Sequence, residues 1–363
     1  IPKRDWSSDV CSSDLLAAVA YGSEPLTYQW RRSGSPVAGA TTPTLHYQNA
    51  SPTLAGNYEL VVANDFRSAT SRVATVTVNG NFVINFADSG PGSLREQIIA
   101  ANDHAGPDII YLAASSPSRI QLDSALPLIT GPLTIVGPGP ELLAIERASG
   151  TFGALKKADS GIGIALSGLT FRNFNGSESV IFSRYGTMAI TNCVFDANVS
   201  ASDGVGGIDV QRNSWVVFDR CTFTRNRSAG NCGGLRISEC DRATVVNCRF
   251  EENSAAGGAG AFWMGASIYA DVVLTMQRCM FARNSARSGG AAEFSGGNRA
   301  HRFDVEGCAF IQNYASYQSG AIGNGGTLNL INCTLSGNVS AGHAGAIYCG
   351  DNFSGGRGHF VNC

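Results

Sequence analysis

The chain has 363 residues, with 26 basic against 28 acidic side chains and a formal net charge of -2, so no global field draws it to nucleic acid or an anionic membrane. Hydrophobic residues make up 44% and the 44 glycines follow no Gly-X-Y period, which excludes a disordered or collagen-like chain. No apolar run approaches the roughly 20 residues that carry a helix across a bilayer. The first stretch, DWSSDVCSSDL from Asp5 to Leu15, has neither apolar periodicity nor a signal-peptide core, and its Ser and Asp favour turns.

Read as codons, that stretch resembles the translation of a short-read sequencing adapter. Residues 1–15, Cys11 included, are therefore set aside from the fold as an artefact or disordered leader. The final HFVNC begins a motif that is completed elsewhere, so the expectation is a piece from the middle of a longer protein.

Residues 16–79 read as short strands, LLAAVAY, LTYQWRRSG, TLHYQNA, NYELVVAND and SRVATVTV, separated by turn residues. Trp30 in YQW and Tyr58 in AGNYEL sit where a β-sandwich keeps its core tryptophan and its corner tyrosine. The segment resembles bacterial immunoglobulin-like domains, with Leu60 standing where the second cysteine of their disulfide would fall. The resemblance implies an incomplete copy acting as a spacer.

Residues 80–107 are expected to be a linker and capping helix. In DSGPGSLREQIIAAN, Ser93 is the N-cap with Glu96 three residues on, followed by an apolar face of Leu94, Ile98, Ile99 and Ala101. Such a helix would cover the open edge of the strands that follow: DIIYL, RIQL, LPLIT, LTIVG and LLAIER.

From there a heptapeptide recurs: NCVFDAN, RCTFTRN, NCRFEEN, RCMFARN, GCAFIQN and NCTLSGN. Its cysteines are Cys193, Cys221, Cys248, Cys279, Cys308 and Cys333, with Cys363 opening a seventh copy at gaps of 25 to 31 residues, a period that marks a solenoid. Apolar residues stand two, five and seven positions before each Phe, as in Met188, Ile190 and Cys193 before Phe195. Steps of two keep side chains on one face of a strand, and the single step of three is a corner between two sheets. The pattern predicts a parallel β-helix of seven to nine coils over residues 108–363. Phe195, Phe223, Phe250, Phe281 and Phe310 should form an aromatic stack. Asn198, Asn226, Asn253, Asn284, Asn313 and Asn338 should form a ladder at a turn, taking the left-handed conformation there. Glycines at Gly206, Gly233, Gly257, Gly289, Gly320 and Gly345 should supply a left-handed φ at the other corner. Arg225, Glu252 and Arg283 share a slot, so opposite charges should stack on the surface.

These two alternating elements resemble the right-handed parallel β-helix repeats of bacterial surface proteins, in particular polymorphic outer membrane proteins and the pectate-lyase-like fold. The fold class is therefore all-β: a right-handed parallel β-helix with an N-terminal capping helix, preceded by a truncated immunoglobulin-like sandwich. The resemblance implies a secreted or cell-surface, outer-membrane-associated adhesin, stalk or scaffold whose partners are polysaccharides or neighbouring cell-surface molecules. The alternative it implies is a polysaccharide lyase or glycosidase, with calcium as cofactor only in that case; otherwise no cofactor and no metal is expected. Against the enzyme, Asp203, Asp209, Asp219, Asp241 and Asp271 are scattered among slots, and His343 and His359 lie in glycine-rich turns without a paired carboxylate. Seven cysteines share one inward column and read as small hydrophobes, while Cys232, Cys240 and Cys349 fall outside the column, and a bridge between Cys232 and Cys240 across one coil is left open. Trp263, Tyr269, Tyr314 and Tyr317 are the candidates for stacking on sugars. Arg212, Arg227, Arg236, Arg242, Arg287 and Arg299 are either attractors of acidic glycans or ordinary surface charge.

Overall fold

The computed structural model describes residues 14–47, 54–76, 81–265, 272–295, 301–350 and 356–363. The chain divides into two compact units at Gly80 and Asn81.

In the N-terminal unit Thr27–Arg32 pairs antiparallel with Gly56–Ala63, and Ser35–Pro36, Ser68–Thr70 and Ala74–Val76 complete that sheet. A second pair joins Asp14–Ala17 to Thr44–Tyr47. This strand starts inside the segment that sequence reasoning set aside, because Asp14 and Leu15 continue the ladder with Tyr47 and His46. The core is Trp30, Ala40, Leu45, Tyr58 and Leu60. Trp30 and Leu60 face each other across the central pair, and the Trp30 indole N–H donates to the Thr42 carbonyl at 3.0 Å. The Tyr58 hydroxyl donates to the carbonyl of Leu54, four residues upstream, at 2.8 Å, so the ring is buried without stranding its polar end.

The second unit is a solenoid of four parallel sheets. One coil runs through Trp215–Asp219 in sheet A, Thr222–Thr224 in sheet B, Arg227–Ser228 in sheet C and Leu235–Ser238 in sheet D. The next coil repeats it in register. The sheets hold eleven, nine, seven and eight strands respectively, so sheet A makes ten steps of about 4.8 Å, roughly 48 Å. That is more coils than the repeat alone reveals, because the earliest ones lack its cysteine and asparagine. Sheet A begins at Asn81–Val83, inside the stretch expected to be linker. The LPLIT segment forms no strand beyond an isolated bridge at Ile129, since Pro127 cannot donate to a ladder.

The helix spans Leu94–Asp103, with the Ser93 hydroxyl accepting from the Glu96 amide at 3.3 Å. Glu96 returns its carboxylate to the Gly92 amide, so the reciprocal bond lands one residue earlier than a capping box would place it. Leu94, Ile98 and Ala101 join the solenoid core, whereas Ile99, expected on that face, is exposed.

Two corners flank each sheet B strand, and both are left-handed. Arg220, Asn247 and Arg278, each preceding a cysteine, have φ of 52°, 55° and 52°. Arg225, Glu252 and Arg283, each preceding a ladder asparagine, have φ of 54°, 56° and 54°. The left-handed residue is thus the one before the asparagine and not the asparagine itself. Each such residue with a Cβ costs on the order of 1 kcal/mol, which the stacked ladder on either side offsets. The glycines are corrected too. Their column is Gly206, Gly233, Gly260, Gly290, Gly320 and Gly345, displaced from the expected Gly257 and Gly289. None of the first five has a left-handed φ. A Cβ on any of them would instead come within 2.0 to 2.5 Å of the next coil's glycine carbonyl oxygen, so close backbone approach demands glycine here.

Candidate functional site

The inward columns hold the frame. The rings of Phe195, Phe223, Phe250, Phe281 and Phe310 stack at centroid spacings of 4.6 to 5.0 Å, and Phe171 extends the stack by one coil at 5.4 Å. Each ladder asparagine is buried or nearly so and fully bonded. Asn253, for example, accepts from the amide and side chain of Asn226 at 3.0 and 2.9 Å, and its own side chain donates to the Phe223 carbonyl and to Asn284 at 2.9 and 3.0 Å. Asn198, Asn284 and Asn313 repeat the arrangement, and Asn338 accepts the last of it.

Cys193, Cys221, Cys248, Cys279, Cys308 and Cys333 are buried free thiols, as are Cys232 and Cys240, while Cys349 and Cys363 are exposed and free. Burial pushes the thiols of Cys193, Cys232 and Cys240 up to about 12, so none of these three offers a thiolate nucleophile. Among the described residues no three His, Cys, Asp or Glu side chains gather as a metal would require.

Outside, the residues vary from coil to coil, those of sheet D among them. One outward row runs in register through Lys156, Phe182, Asp209, Arg236, Trp263, Glu293, Gly323 and Tyr348. At its N-terminal end the Lys156 ammonium and the Arg184 guanidinium each lie 5.4 Å from the centre of the Phe182 ring. Lys156 and Phe182 also line a cleft of about 290 Å³ with Leu128, Phe152 and Glu178. In the middle Arg236 and Asp209 form a largely buried ion pair at 2.5 Å. Next comes Trp263, whose indole reaches along the strand over Gly265. A Cβ at Gly265 would fall 2.3 Å from its ring, and one at Gly258 within 3.8 Å.

Glu293 follows. Its carboxyl group lies over Gly323, where a Cβ would meet Oε2 at 2.2 Å, and against Gly289, where the distance would be 2.9 Å. Burial pushes this carboxyl up to about 7, and a bond from the Gly289 amide only partly opposes that. At the corner between sheets C and D, the Arg287 guanidinium lies 5.1 Å from the Tyr317 ring centre. Tyr317 meets His343 edge-on at 5.1 Å, and His343 stands 6.0 Å from Tyr348 in the row.

The structure thus brings Trp263 into the row and connects Tyr317 to it through His343 and Tyr348. It does not bring Tyr314, which projects from sheet C next to Ser285 and Val339. Tyr269, Asp271 and Arg299 lie outside the described residues. Of the arginines, Arg212 pairs with Glu239 at 3.0 Å and Arg236 with Asp209; Arg227 and Arg242 are exposed. Asp219 bonds Arg220 and Asn247, so it and Asp209 are spent on local pairs. The surface slot behaves as expected only in part: Arg283 pairs with Glu252 at 3.0 Å, but Arg225 turns to Asp196 at 2.6 Å.

Sequence reasoning missed Lys156, Phe182, Glu293 and Tyr348. For Glu293 and Tyr348 the signal was available, since each row residue from Asp209 onward sits three positions after a column glycine. Placing that column at Gly257 and Gly289 hid it.

No curated protein matches the chain. Among solved structures, the A-module of mannuronan C-5 epimerase AlgE6 from Azotobacter vinelandii is similar at 12% identity over 76% of this chain and 95% of that one. The TM-score is 0.31, too loose a likeness to bear on activity. The family model described as right handed beta helix region matches residues 155–339, just over half of the chain and the very coils whose sheets are set out above. The chain belongs to the right-handed β-helix family.

Proposed function

We propose that this protein is a non-catalytic extracellular or cell-surface scaffold that binds glycans along the outward row of sheet D. The observation that carries the reading is the row itself. It sets an indole, a second aromatic ring and alternating charges along one face at intervals of about 4.8 Å. A ring packed over glycine has little conformational entropy left to lose, which favours sugar stacking. The N-terminal unit is read as an immunoglobulin-like spacer, supported by buried Trp30 and by the bond from Tyr58 to Leu54. A location outside the cell or on the outer membrane, with polysaccharides or neighbouring cell-surface molecules as partners, follows from the same reading. None of the described helices is long and apolar enough to cross a membrane.

The test is calorimetric titration of the whole chain with a panel of neutral and acidic oligosaccharides. Trp263→Ala should weaken binding at least tenfold, about 1.4 kcal/mol, while Tyr314→Ala on sheet C leaves it unchanged. Equal affinity in Trp263→Ala and the parent would remove the row from consideration.

One observation favours a second reading, a carbohydrate-active enzyme: Glu293 is an acid poised near neutrality on the same face. Among the described residues it has no second carboxylate beside it in the row, as a glycosidase pair would need. New reducing ends or unsaturated products from acidic polysaccharides, lost when calcium is chelated, would make that reading the better one.

A further inference from the structure

Glu293 sits in a cradle that fits its carboxyl group only because two neighbours lack side chains. Gly323 leaves the space above its Cα free, and Gly289 leaves the side open. Oε2 is shut off from solvent and has no hydrogen-bond partner. Among the described residues no cation completes the cradle from the packed elements. The strand before presents Trp263 and the strand after presents Gly323. Further along, Arg236 is already committed to Asp209, and Tyr348 is a phenol. The adjoining corner carries Arg287 against Tyr317, and His343 between Tyr317 and Tyr348.

Resting on the reading of this row as a glycan surface, we propose that Glu293 is a proton-operated gate that admits acidic glycans when protonated and repels them when ionised. Protonated, it leaves the stretch from Trp263 to Tyr348 neutral. Ionised, it puts an uncompensated negative charge beneath any chain lying across Gly323, in a site where burial weakens screening. The carboxyl need not touch the ligand, because the field acts through the sheet surface. A neutral glycan is indifferent to that field, whereas one bearing carboxylates meets like-charge repulsion. Arg287 is exposed and forms no ion pair among the described residues, so the adjoining corner supplies the attraction for the same anionic groups. The burial that raises the carboxyl to about 7 places the transition within the range of natural environments.

The experiment titrates the whole chain, Glu293→Gln and Trp263→Ala with oligogalacturonate and with a cello-oligosaccharide of equal length, at pH 5.5 and pH 8.5. For the parent, affinity for oligogalacturonate should fall about tenfold at the higher pH, while the neutral ligand changes little. Glu293→Gln should keep the acid-side affinity at both values. His343 is present in both proteins, so the difference between their profiles isolates Glu293. Matching profiles in the parent and Glu293→Gln, with binding still lost in Trp263→Ala, would overturn the gate and spare the surface. No binding of either ligand at either pH would overturn the surface, and the gate with it.

Discussion

The inside of sheet B and the outside of sheet D are built from the same coils and follow opposite rules. Along the inside of sheet B and its corner one residue type returns over successive coils, phenylalanine from Phe171 to Phe310 and asparagine from Asn198 to Asn338. Along the outside of sheet D no residue type repeats from Phe182 to Tyr348. Repetition marks positions that meet their own copies above and below, where a duplicate is a well-matched partner. Variation marks positions that answer to something other than the stack. The difference separates residues fixed by the stack from residues the stack leaves free to vary.

The sharpest way to break that comparison is a pair of glycine substitutions on neighbouring coils. Gly290→Ala would drive a Cβ to 2.1 Å from the Gly320 carbonyl oxygen and 2.7 Å from that of Tyr314. Backbone on both sides cannot yield, so a loss of more than ~4 kcal/mol, or failure to fold, is expected. Gly323→Ala collides only with the end of the Glu293 side chain, which can rotate away. Its cost should stay near 1 kcal/mol, visible as a small shift in the urea midpoint. Equal losses at the two sites would mean that sheet D's outer row is as structural as its inner corner.

Next in size is the asparagine ladder. Asn253→Ala removes the acceptor for the Asn226 amide and side chain, and the donor to Phe223 and Asn284. Two buried N–H groups are left without partners, at ~1 to 3 kcal/mol apiece, so a total near 4 kcal/mol is expected by urea denaturation. Amide exchange should rise at Asn226 more than at Asn284, because the stranded donors lie on that side. A uniform rise along the solenoid would show that the ladder is not the local clamp its bonds imply.

What could be read in advance follows the same division. The interior was legible because Cys, Phe and Asn return together, so each copy confirms the register of the others. The left-handed corners were not, because Arg225, Glu252 and Arg283 are residues with no preference for that conformation, and asparagine, which has one, stands beside them. Its burial and four-way bonding are what fix asparagine there. The glycine column slipped at Gly257 because Gly257, Gly258 and Gly260 crowd one turn of the longest complete coil, and only the backbone contact at Gly260 distinguishes them. The outer row was the least legible part, since a row that does not repeat can be found only after the strands are stacked. Trp263 is legible as an aromatic on the longest coil, but its packing over Gly265, two residues away and on the same face, is not.

The smallest effect concerns the carboxyl that joins the two regions, half-buried and placed in the outer row. Glu293 is raised from an ordinary 4.5 to about 7 by burial, with the Gly289 amide opposing. A raised acid binds its proton more tightly in the folded chain than in the unfolded one, so its contribution to stability is complete below about 4.5. That contribution is lost as pH rises through about 7, and little further change follows above. The whole span is worth on the order of 3 kcal/mol. Glu293→Gln keeps the size of the side chain and cannot ionise, so it should match the parent at pH 4.5 and exceed it at pH 8 in urea titrations. Measured as the difference between the two proteins, the pH dependence reports this one group, whatever the other carboxylates do. A difference that stays flat from pH 4.5 to 8 would mean the ionised carboxyl swings out to water at no cost. Glu293 would then be an ordinary member of the outer row, and the boundary between inside and outside would fall at the sheet itself.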